Sequence, residues 1–182
     1  MTVLAELRRG AVITMPGVGD RVLAASSGVA LPDGVTLSDR AADVEAVVHA
    51  SDAVALPSDV VRWFRVESTV QLDGPDLDGP KLLFFFGGRR SLSHDEVIAH
   101  WRHVHGPLAL HHHVGMSRYV QHEVLEGSDD RVDAIAELHF ANAQDLAERF
   151  YDSDDGRRAI AADIASFAGR YSETFLVERQ RD

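Results

Sequence analysis

Nine of the ten histidines in this chain lie between His94 and His139, and the chemistry the sequence can offer is concentrated there. The segment Ser93–Leu108 holds the leading candidate. Ser93 followed by Glu96 is a capping box, and Val97, Ile98, Trp101 and Val104 form an apolar stripe that leads to His105. Gly106-Pro107 follows at once and predicts that the helix stops at His105. A helix C-terminus favours the imidazolium and burial favours the neutral ring, so His105 is expected to titrate near neutrality, as a general acid or base must. The plainer reading makes it a structural cap that bonds a terminal carbonyl.

Two strands downstream supply partners. Alternation along residues 118–125 puts Tyr119, Gln121 and Glu123 on one face, and Val120, His122 and Val124 on the other, towards the helices. Along 133–140, Ala134, Ala136, Leu138 and Phe140 share one face and Ile135, Glu137 and His139 the other. The expectation is that Tyr119, Gln121, Glu123, Glu137 and His139 meet on one face. That set is too polar for a plain core and must pair internally, with water or with a ligand. Asp163, in an acidic helix, can orient an imidazole or serve as a solvated or capping carboxylate. Of the three consecutive phenylalanines, Phe84 and Phe86 point one way and Phe85 the other, so at least one should line a pocket. The expected catalytic set is His105, Tyr119, His139 and Glu137; the expected substrate contacts are Trp101, Gln121, Glu123, Phe85 and Asp163.

Other chemistries find no support. The run His111-His112-His113, with His100, His103 and His105 nearby, fits no standard closed or catalytic spacing; casual binding of Ni, Cu or Zn is easy to envisage, but no functional metal and no cofactor are expected. The absence of cysteine removes disulfides, thiolate nucleophiles and Cys-ligated zinc. No Gly-rich phosphate loop, dinucleotide fingerprint or nucleophile elbow occurs. A net charge of −11 argues against nucleic acid and anionic membrane surfaces as partners. No segment has the length of a membrane span, and a cytoplasmic location is expected.

The elements that must position these residues read as strand 81–86, helix 93–105, strand 118–125, strand 133–140, helices from Asn142 to about Phe150 and from Arg157 to about Ala168, and strand 173–178. This βαββαβ order is ferredoxin-like. The turn-rich run Asp73–Pro80 separates it from a first half that carries a partial echo. Asp43–Asp52 aligns with Asp145–Asp154, Asp59–Trp63 with Asp163–Phe167, and Glu67–Leu72 with Glu173–Val177, with Val22–Leu31 as an earlier strand. The chain is therefore read as two units, a degenerate ferredoxin-like repeat at 1–76 and a complete one at 77–182 that carries the site.

Residues from about Leu82 to Glu178 resemble the EthD family of dimeric α/β-barrel proteins. The resemblance rests on Trp101-Arg102, His105, Pro107-Leu108, then Arg118-Tyr119-Val120-Gln121, Ala136-Glu137-Leu138-His139-Phe140, and Asp163 with Phe167. Two positions depart: His139 stands where the family often has an aromatic, and Glu123 where it often has a histidine. The resemblance implies an α+β fold in which antiparallel sheets close a barrel, between two chains or, with the first half as partner, within one chain. It also implies kinship with antibiotic monooxygenases, muconolactone-type isomerases and polyketide cyclases, with a pocket at the sheet face. The expected function is cofactor-independent acid–base catalysis of cyclisation, isomerisation or dehydration on a small hydrophobic, aromatic or polyketide-like molecule. Oxygenation by the same kind of site and non-catalytic ligand binding are the alternatives.

Overall fold

The computed structural model describes residues 1–11, 22–26, 28–51, 56 and 58–179. Eight strands close a single barrel within one chain: β1 (Thr2–Arg8), β2 (Val22–Ala25), β3 (Val44–Ser51), β4 (Val60–Leu72), β5 (Lys81–Gly88), β6 (Met116–Gly127), β7 (Ala134–Phe140) and β8 (Ala168–Arg179). They lie in the order β1-β3-β2-β8-β5-β7-β6-β4, every neighbouring pair antiparallel. Cut at the β2–β8 and β4–β6 seams, the barrel falls into two sheets of identical order. β4-β1-β3-β2 comes from the first half and β8-β5-β7-β6 from the second, so the fourth, first, third and second strand lie side by side in each. Closure removes every free sheet edge.

The helical echo does not survive at residue level. Asp43–Asp52 and Asp145–Asp154 align strand β3 with helix, and Asp59–Trp63 opens strand β4 rather than a helix; Asp52 lies outside the described residues. Val47-Val48 and Val60-Val61 are β-branched pairs that suit a strand, and this outweighs the matched acidic positions. β2 ends at Ala25, well short of Leu31. Among the described residues the first half holds a single 3₁₀ turn, Asp39–Ala42, and no α-helix.

The second half carries α1 (His94–His100), α2 (Gly106–His112), α3 (Ala143–Arg149) and α4 (Asp154–Phe167), all on the outer face of its sheet. The capping box opens α1 as its sequence requires: Ser93 N–H donates to Glu96 Oε2 at 2.7 Å and Glu96 N–H to Ser93 Oγ at 3.3 Å. The expected stop at Gly106-Pro107 is absent. A π-helical turn, Trp101–His105, joins α1 to α2, and the helix continues to His112. Gly106 N–H bonds back to Trp101 C=O, five residues away, and Pro107 sits in the first turn of α2, where its missing N–H costs nothing. The widened turn also moves the buried stripe from Val104, which is 49 % exposed, to His105 and then Ala109.

Two cores result. The barrel interior packs Leu4, Phe64, Leu83, Phe85, Ile135 and Phe175. The helix side packs Leu82, Phe86, Trp101, Leu138, Phe140 and Phe167. No helix among the described residues is long and apolar enough to cross a membrane.

Candidate active site

A cavity of about 450 Å³ lies on the helix side of the second sheet, outside the barrel. Phe84 and Phe86 of β5, Trp101, Phe150, Tyr151 and Phe167 give it aromatic walls. The first half contributes the segment Gly34–Ser38, which crosses over and lines the same space. Val35 and Leu37 pack onto the helix-side core, so this loop is anchored by apolar burial. Nothing periodic in its sequence announced this role.

His105 reaches the cavity from the π turn. Its Nδ1 lies 2.8 Å from Asp163 Oδ2 of α4, while Asp163 Oδ1 lies 2.8 Å from His100 Nε2. The ring also packs against Phe167 at 5.3 Å between centroids. Engaging Nδ1 with a carboxylate fixes the tautomer that carries its proton on Nδ1 and leaves the Nε2 lone pair free. Among the described residues Nε2 carries no hydrogen bond. Because the helix does not end here, no dipole at a C-terminus favours the charged ring. Burial therefore lowers the pKa below the ordinary histidine value, against the opposing pull of Asp163, and the ring is neutral at pH 7.

Tyr119 of β6 lines the same cavity and is fully buried. Its oxygen accepts a hydrogen bond from Gln121 Nε2 at 3.0 Å. With Gln121 as donor to its oxygen, its own proton is available for donation. Burial raises its pKa, against the opposing effect of Gln121 and Trp101, so the phenol stays protonated. Gln121 does not reach the cavity; it is a brace. Its Nε2 also donates to Trp101 C=O at 3.1 Å, and its Oε1 accepts from Gln71 Nε2 at 2.9 Å. Gly106 allows this approach, since a Cβ there would sit 3.2 Å from Gln71 and 3.4 Å from Gln121. The π turn that presents His105 is thus bolted to β4 and β6.

The expected common face is corrected by the register. Tyr119 stands opposite Leu138 and Val120 opposite Glu137, so Tyr119, Gln121 and Glu123 face the helices, while His122, Glu137 and His139 face the barrel interior. Glu137 and His139 are completely buried there. Glu137 Oε1 lies 2.6 Å from His139 Nε2, and its Oε2 lies 3.0 Å from His122 Nε2 and 3.3 Å from His49 Nε2. Burial alone would raise the Glu137 pKa, but the three imidazoles outweigh it and hold the carboxyl well below the usual range. The sheet therefore separates His105 and Tyr119 from Glu137 and His139.

Two further expected contacts lie away from the cavity. Glu123 pairs with Arg102 Nη2 at 2.7 Å and His94 Nε2 at 3.3 Å. Phe85 points into the barrel between Phe64 and Phe175, with centroids at 5.7 and 5.2 Å, whereas Phe84 and Phe86 face the cavity. Trp101 does line it, and Asp163 stands behind His105. His113, not singled out in the sequence because it stands in a run of three adjacent histidines, also lines it; its Nδ1 contacts Phe150 C=O at 2.6 Å and burial lowers its pKa to about 4.

Comparison with known proteins bears on the fold. A solved structure described as an anthrone oxidase-like protein superposes with a TM-score of 0.60 at 12 % sequence identity, covering 99 % of this chain and 91 % of that one. At that identity the likeness establishes the fold, here extended over both halves. No curated protein sequence matches the chain. The EthD domain family matches residues 89–170, the segment that runs from the end of β5 through His105, Tyr119 and Asp163 into β8. The matched segment lies within one half of a closed eight-stranded barrel.

Proposed function

We propose that the cavity binds a small, largely apolar aromatic molecule and that His105 acts on it as a general base. The observation that carries this reading is the Asp163–His105 contact of 2.8 Å, which leaves a neutral ring with a free Nε2 in an aromatic cavity. His105 Nε2 takes a proton from a carbon beside a carbonyl. The electron pair moves onto the carbonyl oxygen, where the Tyr119 hydroxyl donates a hydrogen bond to the developing charge. Asp163 stabilises the imidazolium until the proton is returned. Cyclisation, isomerisation and dehydration all share this first step, and none requires a cofactor.

The likeness to an anthrone oxidase-like protein favours a second reading of the same site. Proton removal from an activated ring CH₂ leaves a carbanion; dioxygen, as co-substrate and oxidant, would bond to that carbon, and loss of the second hydrogen with O–O cleavage would give a carbonyl and water.

Anthrone serves as a probe for both. In anaerobic D₂O the wild-type protein is expected to speed exchange of the acidic ring protons, and His105→Ala to lose about 10²-fold or more of that rate while keeping its circular dichroism. Oxygen consumption on admitting air selects the second reading. Saturable anthrone binding with no exchange above the buffer rate overturns catalysis and leaves a ligand-binding protein.

A further inference from the structure

Outside the cavity a second group of side chains converges. His111 and His112 close α2, and Asp152 lies in the connector between α3 and α4; their donor atoms all lie within 4.8 Å of one another. His112 Nδ1 is 3.1 Å from both oxygens of Asp152, and the His111 and His112 rings meet edge to face at 4.6 Å. Ligands bound tetrahedrally at about 2.0–2.2 Å from one ion lie roughly 3.3–3.6 Å apart. The group needs only small rotations to reach that spacing.

The backbone around it is already fixed. Asp152 N–H donates to His112 C=O at 2.8 Å, and Gly115 N–H to Arg149 C=O at 2.7 Å. Space is reserved as well. A Cβ at Gly156, in the first turn of α4, would lie 2.1 Å from Asp152 Oδ1 and 2.6 Å from His112 Nδ1, so only glycine leaves both groups room. Two imidazoles and one carboxylate, open to solvent, suit a borderline divalent ion such as Zn²⁺ better than Mg²⁺ or Ca²⁺, which require oxygen-rich shells.

We infer that His111, His112 and Asp152 form a binding site for a borderline divalent transition-metal ion, with water completing the shell. The ion clamps the end of α2 to the connector whose Phe150 and Tyr151 wall the cavity, and it takes no part in the chemistry there. The spacing of the three adjacent histidines gave no hint of this, because the third ligand comes from forty residues downstream.

The test uses the untagged full chain, stripped of metal and titrated with ZnCl₂ by calorimetry. One equivalent should bind and raise the melting midpoint, because the ion binds the folded state. His111→Ala, which alters an exposed side chain, and Asp152→Asn should each weaken binding by about tenfold or more. His103→Ala, exposed and outside the group, should leave it unchanged. No uptake, uptake too weak to move the midpoint, or uptake retained in His111→Ala but lost in His103→Ala overturns the site.

Discussion

The Nδ1 of His105 and the Oδ2 of Asp163, 58 residues apart in sequence, meet at 2.8 Å where the π turn faces α4. Asp163 is the group that resists the effect of burial on the ring. In Asp163→Asn the His105 pKa should fall further below the ordinary histidine value, and the proton should redistribute between the two ring nitrogens. A ¹⁵N-detected pH titration of the free protein reads both. An unchanged inflection would show that the carboxylate does not govern the ring.

Acid should loosen the fold through the same residue. The folded pKa of His105 lies below its unfolded value of 6.5, so between the two the unfolded chain binds more protons. The contribution is complete above about pH 6.5 and is lost as the pH falls towards the folded pKa. His113, lowered to about 4, adds to the same window. The melting midpoint should therefore drop from pH 7 to pH 5, and His105→Gln should make the drop shallower. Equal slopes for the two proteins would contradict the assignment.

Glu137 predicts a different behaviour. Its carboxylate is the shared partner of His49, His122 and His139 inside the barrel, so Glu137→Gln should cost about 3–5 kcal/mol of stability in urea unfolding. The wild-type contribution of this carboxylate is complete above about pH 4.5 and is lost progressively as the pH falls towards its lowered folded pKa. The NMR titration of His105 should not move, because the sheet lies between them. Movement of that titration would mean that the two compartments communicate.

At another point in the barrel interior Arg62 joins several acids. Its Nε donates to Glu6 Oε2 at 3.0 Å, its Nη2 bonds Glu6 and Glu173, and its Nη1 reaches Asp129 at 3.0 Å and Tyr171 at 2.7 Å. Burial raises the Glu6 pKa despite the two arginines beside it, Arg62 and Arg40. Arg62→Met should cost about 3–5 kcal/mol by stranding Glu6, and adding Glu6→Leu should recover most of that loss. Denaturant unfolding of both variants decides; an equally unstable double variant would show that packing, not charge, is lost.

Much of the scaffold was legible from local chemistry. Ser93 and Glu96 announced α1, Asn142 and its bond to Asp145 N–H announced α3, and alternation sorted β7 correctly into Ala136 and Glu137 faces. His105 and Tyr119, both singled out in the sequence, line one cavity. What failed depends on tertiary structure. Gly106-Pro107 reads as a stop unless Gln71 and Gln121 hold a π turn open above it. Alternation places Tyr119 and Gln121 together but cannot tell which face of β6 meets the helices; that is set by the bulge between Met116 and Arg118 and the pairing with β7. The Gly34–Ser38 segment reaches the cavity only because the two halves close one barrel.

Neighbouring residues on β7 answer to different compartments. Ala136 and Leu138 touch the cavity, whereas Ile135, Glu137 and His139 hold the barrel shut. Parity along the strand thus assigns each side chain to one compartment. Exchanging Ala136 or Leu138 would reshape the cavity and its helix-side packing, while the imidazole–carboxylate cluster inside the barrel stays as it is.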